Sequence, residues 1–434
     1  MSPRVDALAI WNAAVQAVLP WPLVANFFAT DPLASRIRDA PRIIVVGAGK
    51  AGPGMAEGLE QTLADRVEGV VNVPEGMTAP LQRIRLHAAR PQGVNEPTAA
   101  GVAGASEMLQ LLASAGPDDV AVCLLSGGGS ALLPAPAEGI TLEDKLAVTK
   151  LLHRSGATID EMNRVRKHLS RVKGGRLAEA FRGKLLLSLI ISDVVGDPLD
   201  VIASGPTAPD PTTFAEALTV LVRFGLQDRV PSNVLDHLQR GAKGELPETP
   251  KAIPANVVNR IIGSNRVSLD AAAREATARG YGVLDLGSFI EGETLHVATA
   301  IAGMVRSIQR DGQPFAPPVC VLLGGETTVT LGDNAGKGGR NQEFVLALLA
   351  KLGAEGMKGA TALSGGTDGE DGPTDAAGAI ADAGTLVRAS AHGLLIADYL
   401  RQHDAYAFFD ATGDLIRCGL TGTNVMDVRV VLVN

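Results

Sequence analysis

RIIVVGAGKAGPGM, Arg42 to Met55, is the stretch on which the reading of this chain turns. Ile43 to Val46 form the unbroken apolar run expected of a strand covered on both faces. Gly47, Gly49 and Gly52 follow at the Gly-x-Gly-x-x-Gly spacing that turns a parallel strand sharply into a helix. The spacing predicts a Rossmann-like corner. Inside the turn sits Lys50. A Walker-type phosphate loop is excluded, because Ile44 and Ala51 stand where its first glycine and its hydroxyl belong. A full dinucleotide fingerprint also needs an acid about 20 residues on to hold a ribose. Glu68 and Glu75 are nearby, and GVVNVPEG sets Glu75 behind a proline, so the match is partial. What remains is a compact cation beside converging N–H groups, suited to phosphate or carboxylate.

Outward from this corner the same pattern recurs: VAVCLLSGG at 120–128, LLLSLIISD at 185–193, VVNRIIG at 257–263, VCVLLGG at 319–325 and VRVVLV at 428–433. Continuous apolarity with helical stretches between the runs predicts layered α/β sheets joined by parallel crossovers. Helices are expected after Thr141, which has Asp144 three residues on, after Asn265, and over 158–181 with a break at Gly174 and Gly175. RGAKGELPETPKAIPAN, 240–256, replaces apolar periodicity with prolines, glycines and charges and reads as a linker. The expected organisation is therefore a Rossmann-like parallel-sheet N-terminal domain, residues 1–245, and a smaller α/β C-terminal domain, residues 255–434, with an interdomain cleft.

Composition sets limits on function. With 46% hydrophobic and 20% charged residues the chain should fold throughout, while 3% aromatics and 50 glycines imply an aliphatic core with many tight corners. A net charge of −8 and the lack of basic runs exclude nucleic acid as a partner. Cys123, Cys320 and Cys418 lie far apart with no Cys-x-x-Cys, which argues against disulfides and structural zinc. The N-terminal segment reads as an amphipathic helix, and no apolar run of about 18 residues predicts a membrane span. The expected setting is cytoplasmic, the expected partner is a small molecule, and homo-oligomerisation is left open.

Chemistry-bearing residues cluster at glycines. LLSGGGSALL (124–133), LLGGETTVTL (322–331) and ALSGGTDGEDGPTD (362–375) each join an apolar run to glycines, which makes four candidate anion-binding corners with the first. In the second corner Ser126, Gly127, Gly128, Gly129 and Ser130 are candidate phosphate or substrate contacts. KGGRNQEF places Arg340 and Asn341 where a glycine loop enters a helix, suiting the guanidinium to a bidentate oxyanion contact; Glu343 follows one turn in and also suits a cap. Asp193, Asp197, Glu326, Asp368, Glu370, Asp371 and Asp375 supply hard oxygen ligands, and Mg²⁺ needs only one or two of these beside phosphate oxygens. The basic helix adds Arg166 and Lys167. No Gly-x-Ser-x-Gly elbow and no metal-binding histidine spacing is present.

In order, GAGKA, LLSGGGSALL, NRVRKHLSRVKGGRLA, SDVVGDPLDVIASGPTAPDPTT, GGETTVTL, GKGGRNQEF and SGGTDGEDGPTDAAGA resemble the class II glycerate 2-kinases, the group with a MOFRL domain whose members are also labelled hydroxypyruvate reductases. The resemblance spans nearly the whole chain. It implies ATP-dependent phosphorylation of D-glycerate at the 2-hydroxyl, with Mg²⁺, and carries the family's key lysine and arginine onto Lys50 and Arg340. On that reading Asp193 is the base or a metal ligand, and Glu326 and Asp368 are competing metal ligands. Gly49, the 126–130 turn, Arg166, Lys167, Asn265, Asn341 and Glu343 are substrate or nucleotide contacts. The competing expectations are a nicotinamide-dependent hydroxypyruvate reductase and a non-catalytic sugar-acid-binding protein.

Overall fold

Ile43–Ala48 forms strand β1 with every residue buried. Val120–Leu125 (β4) and Leu185–Ile191 (β5) are buried throughout as well. A backbone shielded from water must pair along its length. Accordingly β1 lies parallel to both Val67–Pro74 (β2) and β4, β2 lies parallel to Ile84–Arg90 (β3), and β4 lies parallel to β5. With Val257–Gly263 (β6) the sheet order is β3-β2-β1-β4-β5-β6, the strand order of a dinucleotide-binding Rossmann sheet. The order reverses between β1 and β4, so the corners after these strands flank the switch point.

This computed structural model describes all residues except Met1, Thr78, Gln92, Gly93, Asn95, Asp333 and Asn334. The chain divides into Pro20–Ile262, here the Rossmann unit, and a split unit made of Met1–Leu19 with Gly263–Asn434. Both limits of the expected N-terminal domain, 1–245, therefore change. The helix Pro3–Gln16 packs on the helix Asn265–Ala278 and on the sheet of the split unit. Its Trp11 is 1% exposed and donates from Nε1 to Gly365 O at 3.2 Å. Burying a side chain of that size contributes on the order of 3 kcal/mol, enough to fix which unit the helix joins. The expected linker at 240–256 is not free either. Thr249 Oγ1 donates to Asp210, Asp210 N donates to Pro250 O and Leu186 N donates to Asn256 O, so the segment is pinned to the Rossmann unit and leads into β6.

The sheet of the split unit contains Gly282–Asp285 (β7), Ile290–Glu293 (β8), Val319–Thr328 (β9), Ala360–Gly366 (β10), Gly378–Ala381 (β11), Leu415–Ile416 (β12) and Asp427–Val433 (β13). Its order is β12-β11-β10-β13-β9-β7, with β8 also paired to β9. Here the expectation of parallel crossovers fails: β13 lies antiparallel to both β10 and β9, and β11 is antiparallel to β10 and β12. Only β7 and β8 run parallel to β9 among the described pairs.

One of the four expected glycine corners is not a corner: Gly324 and Gly325 lie within β9, which runs on to Thr328, whereas β10 ends at Gly366 and the chain turns after it. The role of the strand glycines is close approach: a Cβ on Gly324 would stand 1.8 Å from Asn265 Oδ1, and one on Gly365 would stand 2.8 Å from Trp11 Nε1.

Candidate functional site

The corner after β1 is locked to the corner after β4. Gly49 N donates to Asn72 O at 3.2 Å, Lys50 N to Gly127 O at 2.8 Å and Gly52 N to Gly49 O at 3.2 Å. Ala51 N donates to Ser126 Oγ at 3.0 Å. Gly49 is required by contact, since a Cβ there would lie 2.0 Å from Ser126 Oγ. The consecutive amides that a dinucleotide pyrophosphate would need are therefore engaged within the protein. Gly49 N, Gly127 O and the Ser126 hydroxyl thus act as struts between the two corners. Lys50 passes over Gly128: a Cβ on that glycine would be 3.6 Å from Lys50 Cγ and 3.2 Å from Arg90 Nη2. Arg90 closes β3, is largely buried, and has no hydrogen-bond partner for Nε among the described residues. Burial lowers its pKa.

Beside this corner the Rossmann unit holds a cavity of about 670 Å³. Ser126, Gly128, Gly129, Ser130, Arg166 and Asp193 of the expected site residues line it. Each reaches it for a local reason. Gly128, at φ 77°, turns the chain from β4 into the short helix Gly129–Leu132 that carries Ser130. A capping box between Thr158 and Glu161 starts the helix Ile159–His168, whose last turn carries Arg166. Asp193 lies just past the carboxyl end of β5. The walls carry Lys145, Lys150, Arg154, Arg166 and Lys173 against the carboxylates of Glu96 and Asp193. Glu96 is paired with Lys150 at 3.2 Å. The inner wall is therefore cationic.

Lys173, absent from the sequence-based set, is the centre of this wall. It is 2% exposed, and its Nζ lies within hydrogen-bonding reach of Ser130 O and Ser130 Oγ, both at 2.9 Å, of Ser204 Oγ at 3.3 Å and of Ala203 O at 3.4 Å, four acceptors for three N–H groups. All four acceptors are uncharged oxygens. Burial, and then the nearby charges of Arg166, Lys145 and Lys167, hold its pKa well below the ordinary lysine value. Burial with Arg166 also brings Lys145 down to about 7, and its ammonium donates to Leu169 O at 2.9 Å. Arg166 donates to Ser130 Oγ at 2.7 Å and to Asn163 Oδ1 at 3.2 Å. Lys167 does not join them. Its ammonium is buried between Asp200 and Asp210, 3.3 Å from each, and the expected ligand contact is replaced by an internal ion pair.

In the split unit Arg340 begins the helix Arg340–Met357. It donates from Nε and Nη2 to both oxygens of Asp427 at 2.8 and 3.1 Å, and from Nη1 to Glu326 at 2.7 Å. Those carboxylates raise its pKa. Asn341 Nδ2 also donates to Asp427, at 2.9 Å, and Asp371 accepts from the buried first-turn backbone amides of Asn341 and Gln342 at 3.0 and 2.8 Å. Asp371 is therefore the cap of this helix. Glu343, the expected contact or cap, is buried and pairs with His403 Nδ1 at 2.9 Å. Asn265 is also engaged within the fold, its Nδ2 donating to Val425 O and Asp427 O at 2.8 and 2.9 Å. Burial raises the pKa of Glu326, and the neighbouring carboxylates Asp427 and Asp368 raise it further against the opposing pull of Arg340.

The expected metal ligands divide between the units, with Asp193 in the Rossmann unit and Glu326 and Asp368 in the split unit. Among the described residues no cluster of three or more His, Cys, Asp or Glu side chains suits a metal on its own. Magnesium needs less than that, and the half-exposed Glu326 carboxylate beside Asp368 fits an ion that takes most of its ligands from phosphate and water. The residues missed by sequence reasoning are Arg90, Lys173, Ser204, Asp427 and Arg429. Asp427 and Arg429 left one readable signal: two charges two residues apart in the apolar run DVRVVLV share a strand face and so pair, here at 3.0 Å.

Comparison with known proteins places similarity along most of the chain. Residues 6–239 match the family model described as Domain of unknown function (DUF4147), and residues 319–427 match the MOFRL family. A protein of Pyrococcus horikoshii named "Glycerate 2-kinase" is 42% identical over 90% of this chain and 87% of its own length. One of Agrobacterium vitis named "Putative hydroxypyruvate reductase" is 40% identical over 100% of this chain and 95% of its own. The crystal structure of glycerate kinase from Thermotoga maritima superposes with a TM-score of 0.89 at 35% identity, covering 99% of both chains.

Proposed function

Since this chain belongs to the glycerate kinase family built from DUF4147 and MOFRL segments, we propose that it transfers the γ-phosphoryl group of ATP to the 2-hydroxyl of D-glycerate, yielding 2-phosphoglycerate and ADP. The observation that carries this reading is the cationic inner wall of the cavity beside the β1/β4 switch point. An anionic acceptor needs fixed cations, and phosphoryl transfer depends far more on positioning and charge neutralisation than on covalent help. Asp193 lines the same cavity and is the residue to take the hydroxyl proton as the oxygen–phosphorus bond forms, or to hold the metal instead. Lys50 and Arg340 neutralise the transferring phosphoryl group or the acceptor carboxylate. Arg340 is already oriented by Asp427 and Glu326, which leaves part of its guanidinium for an anion. Asp193, Glu326 and Asp368 are the carboxylates that would hold Mg²⁺, which when bound offsets the negative charge of the phosphates. A cytoplasmic setting suits three free cysteines and a chain whose described residues include no single helix long and apolar enough to cross a membrane.

The reductase reading rests on the strand order and on Glu75, which directly follows β2. Against it stand the engaged amides of residues 49–52. The deciding experiment supplies purified protein with D-glycerate, ATP and Mg²⁺. ADP and a 2-phosphate product are expected. Oxidation of NADH by hydroxypyruvate with ATP left untouched would overturn the proposal, and binding of glycerate without turnover of either kind would make the protein a sensor.

A further inference from the structure

Ala203 and Ser204 are consecutive non-glycine residues in the left-handed region, at φ 51° and 64°, followed by Gly205 at 62°. Residues with a Cβ avoid that conformation, and it persists where the surroundings over-determine it, often at functional sites. Here the turn aims Ser204 Oγ and Ala203 O at the Lys173 ammonium on the cavity wall. Ser204 is 1% exposed, and its hydroxyl donates to Asn163 Oδ1 at 3.3 Å. Ser130 Oγ receives hydrogen bonds from Lys173 at 2.9 Å and Arg166 at 2.7 Å. A hydroxyl has two lone pairs and one proton. With both lone pairs taken by cationic donors, Ser130 can act only as a donor, and its protein acceptor is Ser204 Oγ at 3.0 Å.

Resting on the kinase reading above, we propose that this assembly is the subsite for the carboxylate of the 2-hydroxy acid acceptor. Ser130 and Arg166 touch the anion, Lys173 acts as a positioning residue that leaves Ser130 only its proton to offer, and Ser204 Oγ is the acceptor that the anion displaces. One hydroxyl and one planar guanidinium side by side suit a planar two-oxygen anion.

The test compares wild type with Ser130→Ala, Ser204→Gly and Lys173→Met. It measures KM for D-glycerate and for ATP, calorimetric Kd for D-glycerate without nucleotide, and the melting temperature. Losing a hydrogen bond to a charged group predicts Ser130→Ala weaker toward glycerate by roughly tenfold to a hundredfold, with KM for ATP within about twofold. Lys173→Met should shift glycerate KM in the same direction. Ser204→Gly removes the acceptor that competes for the Ser130 proton; it should bind glycerate at least as tightly as wild type even where the lost buried hydrogen bonds lower its melting temperature, which separates affinity from stability. A shift in ATP KM alone, unchanged glycerate binding in Ser130→Ala, glycerate binding lost in Ser204→Gly, or a drop in melting temperature that tracks the lost affinity across the variants overturns the subsite. If wild type binds D-glycerate through Ser130 but forms no ADP, the kinase reading fails and the subsite stands. If ADP forms and the variants bind as wild type, the subsite fails and the kinase reading stands.

Discussion

Replacing Asp427 by Asn tests the charge network of the split unit without changing side-chain shape. The Asp427 carboxylate is fully buried and accepts from Arg340 twice, from Asn341 once and from Arg429 at 3.0 Å. After the substitution Arg340 keeps Glu326. Arg429, also fully buried, keeps only the Thr327 hydroxyl at 2.9 Å and the face of Phe344, and its Nε and Nη1 have no hydrogen-bond partner among the described residues. Leaving such a cation uncompensated costs about 3–5 kcal/mol. With a urea slope of ~2–3 kcal/mol/M, the midpoint should fall by roughly 1–2 M. Trp11 is buried in the split unit and Trp21, in the other unit, is 42% exposed, so fluorescence in a Trp21→Phe background reports the correct transition. The double variant Asp427→Asn/Arg429→Met should recover at least half the loss, because the unpaired charge goes with its partner. A midpoint shift under about 0.3 M, or strict additivity in the double variant, would refute the account of this network.

Lys50→Ala and Arg340→Ala should each lower kcat about a hundredfold or more, as removal of one contact to the developing charge does; unchanged steady-state rates would remove these residues from the chemistry. Gly49→Ala should destabilise the Rossmann unit by at least ~2 kcal/mol in urea unfolding, because its Cβ would stand 2.0 Å from Ser126 Oγ and 2.8 Å from Ser126 O; a neutral effect would mean the corner can open. Lys145 has a folded pKa of about 7 against the ordinary 10.5, so the unfolded chain binds more protons between those values. Its contribution is complete above 10.5 and is lost as pH falls through about 7, so Lys145→Met should exceed wild-type stability near pH 6 and lose that margin toward alkaline pH. Urea midpoints across that range check it, and a margin that widens with pH contradicts it.

The Rossmann sheet was legible because its strands are buried on both faces and therefore read as unbroken apolar runs. Membership of the helix 3–16 was not, because the partner that decides it, the sheet face around Gly365, lies 354 residues away in sequence. The glycines of β9 were misread for the same reason: Asn265, which requires Gly324, is remote along the chain. Ser130, Arg166 and Asp193, which line the cavity, were legible as candidates because strand ends and helix ends announce themselves locally. Lys167 was misassigned because successive residues on a helix point about 100° apart, which sends Arg166 to the cavity and Lys167 to Asp200 and Asp210. Lys173 carried no local mark, since its environment is assembled by Ser130, Ala203 and Ser204 from separate segments.

The interrupted course of the split unit bears on how the protein is made. Its first helix is made before the Rossmann unit, yet β13, the strand inserted between β10 and β9, is made after both of its neighbours. During translation Pro20–Ile262 can complete its own core while the helix carrying Trp11 waits for the surface it will cover. Nascent chains therefore expose an apolar helix throughout synthesis of the Rossmann unit, and expression of Gly263–Asn434 alone would present the matching bare face to aggregation.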